Sequence, residues 1–358
     1  VERVAGVDAA RGLAVLGMFA AHVGYAEPSF WTPTGWLAAA DGRSAALFAT
    51  LAGVSLGLMT GGTRPVAGAA RRAARRAARW RLSARAAAIA VIGYLLVALG
   101  TPIAVILPAY AVTFVVLLPV IGAPARLLVP LAAAAAVGGP LLVAATGGKT
   151  GAGTDPRSLL LSGFYPVAVW AAYVLAGLAV GRLPLTERAV QLRLLGAGAG
   201  LAAIGYGAAA LGVRVLDGPA RFLSAAPHAD TTTEVTGNLG VALAVLAACL
   251  LLIPGTTAGG VLEPLVATGA TALTAYVVHI VAIAVLGPEV VLAQRTNGTL
   301  LGFVVVAVVA CTLWRRRWGR GPLERVVRAA SLLAAAAALG APSGRDGAVR
   351  PAAPAGPP

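Results

Sequence analysis

The chain has 358 residues, 59% of them hydrophobic and 11% charged, with a mean hydropathy of +0.85 and a formal net charge of +15. A soluble domain carries about 25% charged residues, so the composition excludes a soluble enzyme and points to a polytopic membrane protein. Cys249 and Cys311 both lie in apolar stretches and the three histidines are dispersed, so no disulfide framework or metal spacing is present and no metal is expected.

The first predicted element, RVAGVDAARGLAVLGMFAAHVG from Arg3 to Gly24, carries Asp8, Arg11 and His22 in an otherwise apolar run. A charge near the bilayer centre costs roughly 2.5–3.5 kcal/mol, so such residues sit near an interface, in a bundle interior or in a wet cavity. On a helix of about 100° per residue, Arg11 and His22 project about 20° apart and Asp8 about 60° from Arg11. All three point into one sector, and Asp8 and Arg11 are i,i+3 neighbours able to pair. The bland alternative is a salt bridge anchoring the helix at the membrane surface beside one packed histidine. The run is long, contains Asp8 and lacks a clear cleavage site, so it reads as a span and not a secretory leader.

Apolar stretches of about 20 residues recur to the end of the chain. They predict an all-α fold, a polytopic membrane helix bundle of about ten transmembrane helices, near residues 7–25, 44–60, 84–100, 102–122, 127–145, 164–181, 194–213, 238–254, 264–286 and 299–314. Ten spans put both termini on one side. With that side cytoplasmic, the inner segments hold 22 of the 28 Lys and Arg residues and the outer ones six, as the positive-inside rule requires. The positive charge is thus an orientation signal, and no nucleic-acid binding is read from it. The inner loop after the second span, RRAARRAARWRLSAR, places Arg71, Arg75 and Arg79 at i,i+4 spacing with Arg72 and Arg76 beside them. That stripe suits anionic lipid head groups, at about 1 kcal/mol per basic side chain, or else the phosphates of a cytosolic donor.

The polar outer loops follow. Tyr25 to Arg43 contains the interface-type Trp31 and Trp36 and ends in Asp41 and Arg43. The loop before the eighth span holds His228, Asp230, Glu234 and Asn238. His228 beside two acids could act as a general base with an orienting carboxylate, or could belong to a solvated loop. Asp230 to Thr233 suits an N-cap for a helix starting near Glu234. In the ninth span, TGATALTAYVVHI, Thr268 projects about 20° and Tyr276 about 60° from His279. All three histidines, His22, His228 and His279, therefore fall outside or in the outer half of the membrane, with Asp8 and Arg11 near the inner end. The tail from Gly340 to Pro358 is Pro-, Gly- and Ala-rich and is expected to be disordered. A short amphipathic or surface helix precedes it, so the organisation is one transmembrane domain, 1–330, and a cytoplasmic extension, 331–358.

RVAGVDAARGLAVLGMFAAHV followed by DGRSAALFATLAGVSLGL resembles the opening of the heparan-α-glucosaminide N-acetyltransferase-like transmembrane proteins, most closely their bacterial YeiB-like branch. DPRSLLLSGFYPVAVWAAYVLAGLAVGRLPL resembles the middle signature of that branch, and PHADTTTEVTGNLGVALAVL, TGATALTAYVVHI and GPLERVVR resemble its later ones, in order over residues 3–330. The resemblance implies a multi-span acyltransferase that takes acetyl from cytosolic acetyl-CoA, or another acyl-CoA, and places it on an acceptor across the membrane. Asp8, Arg11 and Asp41 match family positions. The family's outer-face histidine in the loop after span one has no counterpart between Tyr25 and Arg43, which moves that role to His22 or His228 or leaves it absent. The expected catalytic group is His22, His228, Asp41 and His279, and the expected donor-binding group is Asp8, Arg11, Arg71 and Arg75. The expected acceptor is a cell-envelope sugar or glycolipid, the expected partners are membrane lipids, and the expected place is a bacterial cytoplasmic (inner) membrane. A small-molecule transporter would also use intramembrane charges, and a non-catalytic scaffold is the third reading.

Overall fold

The computed structural model describes residues 4–27, 29–63, 70–148, 151, 153–215, 223–253, 260–293 and 295–340. Its regular elements are helical: α1 (Ala5–Val23), a 3-10 turn (Gly35–Ala40), α2 (Arg43–Met59), α3 (Ala70–Val97), α4 (Leu107–Val116), α5 (Ala125–Ala145), a π turn (Ser158–Ser162), α6 (Val167–Val180), α7 (Arg188–Val215), α8 (Thr232–Leu252), α9 (Glu263–Ala270), α10 (Ala272–Leu286), α11 (Pro288–Ala293), α12 (Asn297–Trp318) and α13 (Pro322–Gly340). In lipid only helices and closed barrels satisfy every backbone polar group, which is why a chain this apolar folds into helices.

Each of the ten expected apolar segments overlaps a helix. Among the described residues, however, six helices are long and apolar enough to cross a membrane, or seven when α9 and α10 count as one bent span. The other three fall short for separate reasons. Asp8, Arg11 and His22 dilute the 19-residue α1, while α4 and α6 have 10 and 14 residues. The α9–α10 pair bends by 73° at Thr271, which also breaks the face expected to align Thr268 with His279. One regular helix would have carried that alignment, and these two segments do not share an axis.

The bundle has a buried centre and a lipid-type periphery. Two-thirds of the apolar window that includes α2 (67%) is buried, against 11% of that in α12. A helix apolar all round but exposed is one that faces lipid. Small residues set the closest approaches, as expected where packing rather than hydrophobic burial joins helices. Between α2 and α6, a Cβ on Gly57 would lie 2.7 Å from the Gly181 Cα, and one on Gly177 would collide with the Thr50 carbonyl. Gly269 of α9 touches the α1 backbone at Asp8 in the same way, which brings the broken helix against the inner half of α1. Helix α13, expected as a surface element, packs along α3 and meets the start of α10.

Candidate functional site

Two polar regions lie at opposite ends of α1. From Val4 to His22 the axial rise is about 27 Å at 1.5 Å per residue, close to the thickness of a bilayer core.

At the end where α1 starts, a cleft of about 660 Å³ opens between the C-terminal end of α2, the first turns of α3 and the turns after α4 and α6. Its polar lining includes Thr60, Thr63, Arg75, Arg81 and Thr186. Arg75 lies across Gly122, with its Nε 3.3 Å from where a Cβ would stand. Arg71 is on the same helix, but its side chain lies outside the described residues. One wall is held from behind by Arg182, which is 7% exposed. Its Nη1 donates to the Gly57 and Thr60 carbonyls at 3.0 and 3.1 Å, its Nη2 to Thr60 Oγ1 and the Ile121 carbonyl at 2.8 and 2.5 Å, and its Nε to the Ala123 carbonyl at 3.3 Å. The last carbonyls of a helix lack intrahelical partners and sit at its negative end, so one guanidinium holds the end of α2 to the α4–α5 turn. Burial pulls the Arg182 pKa down. Sequence reasoning missed Arg182; the available signal was a single arginine directly after an apolar run.

Further along α1, Asp8 is buried and accepts a hydrogen bond from Arg11 Nη1 at 2.5 Å. Arg11 Nη2 donates to Ser55 Oγ of α2 at 2.6 Å, and that hydroxyl donates to the Leu51 carbonyl. The pair is therefore set between α1 and α2, with α9 against the Asp8 backbone, and is more than a surface anchor. Arg85 of α3 stands within electrostatic range of Arg11 and of Glu324. Ser55, Arg85 and Glu324 are additions to the sequence reading. The first two lie in other helices and carry no local signal, whereas Glu324 stands in the GPLERVVR motif.

At the far end of α1, His22 Nδ1 lies 2.9 Å from His279 Nε2 with the rings stacked 5.2 Å apart. Phe19 and Tyr276 pack on His279 with centroids at 4.6 and 5.3 Å. The His279 Nδ1 faces its own helix, toward the Ala275 and Tyr276 carbonyls, without reaching hydrogen-bond geometry. The tautomers are assigned from these surroundings. A proton on His279 Nδ1 faces carbonyls, which leaves Nε2 to accept from His22 Nδ1–H. His22 Nε2 then keeps its lone pair, the state a general base needs. Asp41, at the end of the 3-10 turn, is half-buried and shares an electrostatic neighbour, Arg295, with His22.

His228 belongs to a different cluster. Its ring packs on Phe164, Tyr165 and Trp170 at 4.3, 5.4 and 5.9 Å. His228 and Asp230 both adopt positive φ, 59° and 52°, a conformation uncommon outside glycine. The Glu234 carboxylate holds the turn by accepting both backbone N–H groups at 2.7 Å. Thr231 is the N-cap, its Oγ1 accepting from Glu234 N at 3.0 Å, so the expected cap is present. Asp230 accepts from Trp170 Nε1 at 3.2 Å. A further chain runs from Arg43 Nε to Tyr206 Oη, on to Asn238 Oδ1, and from Asn238 Nδ2 to Glu234 Oε1. His22 and His279 are thus brought into contact, while His228 is built into an aromatic turn. Among the described residues no group of three or more His, Cys, Asp or Glu is placed to hold a metal ion.

The family described as "Heparan-alpha-glucosaminide N-acetyltransferase, catalytic" matches residues 3–211, more than half of the chain. A second family, described as "Protein of unknown function (DUF418)", matches residues 182–334. No curated protein matches the chain. The first match covers His22, Asp8, Arg11 and the whole cleft, and the second covers His228, His279 and Glu324.

Proposed function

Since the chain belongs to the heparan-α-glucosaminide N-acetyltransferase catalytic family, we infer that it is a membrane acyltransferase that moves an acyl group, in the first instance acetyl, from cytosolic acyl-CoA to a sugar or glycolipid of the cell envelope. The observation that carries the reading is the His22–His279 pair at one end of α1, with an arginine-lined cleft at the other.

In this reading the cleft receives the donor nucleotide, with Arg75 and Arg81 meeting its phosphates and Arg71 adding positive charge to the same helix. The cleft end faces the cytoplasm, in keeping with the excess of arginine in the segments there, and both termini lie on that side of a bacterial inner membrane. Asp8, Arg11 and Ser55 stand on the path along α1. At the outer end His22 Nε2 takes the proton from the acceptor hydroxyl or amine as it attacks the thioester carbonyl. The new acyl bond forms, the carbon–sulfur bond breaks, and the thiolate leaves and is protonated. His279 orients His22, and Asp41 is placed to steer the acceptor. His228 is a turn-forming residue in this scheme, not the base.

The test is single-turnover transfer from radiolabelled acetyl-CoA to envelope sugars in purified membranes. His22→Ala should slow transfer by about 10²–10⁴-fold and leave donor binding unchanged, and Arg75→Glu should weaken donor binding. Wild-type rates in both variants would overturn the site. A transporter would make use of the broken α9–α10 helix, since interrupted helices serve substrate sites. An inverted repeat would call for a matching break in the first half, and among the described residues one bent pair is present.

A further inference from the structure

The break at Thr271 creates a structural problem that the chain solves from a distance. Where α10 restarts, its first backbone N–H groups have no intrahelical acceptors. Thr271 does not cap them, because its hydroxyl donates back to the Ala267 carbonyl at 3.0 Å. The acceptor comes from the first turn of α13. Glu324 Oε1 accepts from Leu273 N at 2.8 Å and from Thr274 N at 3.1 Å, and Oε2 accepts from Thr274 Oγ1 at 2.6 Å. Thr274 Oγ1 in turn accepts from Leu323 N at 3.3 Å. A side chain at position 321 would intrude on this contact, since its Cβ would lie 2.8 Å from Thr274 Oγ1 and collide with the Glu324 carboxylate.

Two helix N-termini therefore meet face to face. Each carries the equivalent of about half a positive charge, and Arg85 stands nearby. One carboxylate faces all three and offsets the charge of the two helix ends. His279 follows Thr274 by five residues on α10, about 7.5 Å along its axis, with no break between them.

We propose that Glu324 is a positioning residue for acyl transfer: its carboxylate fixes the start of α10 and thereby sets His279 against His22. This rests on the assignment of the histidine pair made above. The reach of a hydrogen bond explains the sensitivity. A 2.9 Å contact between two ring nitrogens fails with a displacement of about 1 Å, and a misplacement of that size can cost about 10²-fold in rate.

The test uses the full chain in lipid nanodiscs with ring-¹⁵N-labelled histidine. Glu324→Gln should lower single-turnover transfer by about 10–100-fold, leave the KM for acetyl-CoA unchanged, and shift the ring nitrogen signals of His22 and His279. Glu324→Asp, which keeps the charge, should recover a large part of both. Thr274→Val removes only the hydroxyl arm and should move both readouts in the same direction, which covers the case in which Glu324→Gln does not fold. Unchanged transfer and unchanged ring signals in a folded Gln or Val variant would overturn the proposal. If the wild type transfers to no acceptor, the functional reading fails separately, and the histidine signals still decide the positioning role: a shift supports it and no shift refutes it.

Discussion

Replacing Arg182 with methionine keeps most of the side-chain volume and removes the fork that holds one wall of the cleft. Six hydrogen bonds are lost. Those to the Gly57 and Ile121 carbonyls are fully buried, and those to Thr60, Gly62 and Ala123 are partly exposed. Neither buried carbonyl is orphaned, since Gly57 O also accepts from Gly62 N at 3.0 Å and Ile121 O from Thr60 Oγ1 at 3.3 Å. A hydrogen bond to a charged group nevertheless contributes about 1.5–3 kcal/mol, while partly exposed groups recover water at little cost. The two buried bonds together give a loss of about 3–4 kcal/mol. Thr60 and Ile121 also line the cleft, so their displacement should weaken donor binding about tenfold, equivalent to about 1.4 kcal/mol. Unfolding in mixed detergent micelles, followed by far-ultraviolet circular dichroism, measures the first quantity. Equilibrium dialysis with a non-transferable acetyl-CoA thioether measures the second. Arg182→Lys keeps the charge without the fork and should fall between wild type and methionine. A stability loss below about 1 kcal/mol in the methionine variant, with donor affinity intact, would refute the view that this guanidinium holds the wall.

Two further outcomes are expected. Gly177→Val should separate α6 from α2 and cost about 3 kcal/mol in the same unfolding assay, because a Cβ there would stand 3.0 Å from Val54 N and collide with the Thr50 carbonyl; a loss under 1 kcal/mol would mean the two helices part freely. Single cysteines at Ala74 and Gly148, introduced after removal of Cys249 and Cys311, should react with a membrane-impermeant reagent from opposite sides, and same-side labelling would overturn the proposed orientation.

The sequence by itself determined the class and the helices. Hydropathy acts locally: a run such as Thr232–Leu252 must satisfy its backbone internally wherever it ends up in the bilayer, so its helix is legible without its neighbours. The N-cap at Thr231 and the Asp8–Arg11 pair are local for the same reason, spanning one turn each. The sequence places all three histidines on one side as an expectation, but does not tell which of them meet. Contact between His22 and His279 joins residues 257 positions apart, and it depends on how α10 is aimed after the bend at Thr271. No periodicity announces that bend: Thr268 and His279 look aligned in projection because the apolar pattern continues across it. The cleft, the pin at Arg182 and the cap from Glu324 are likewise products of packing, since each satisfies carbonyl or amide groups left open at a helix end by a side chain from another part of the chain. A sequence shows where such open ends fall, and only the tertiary structure decides which distant group fills them.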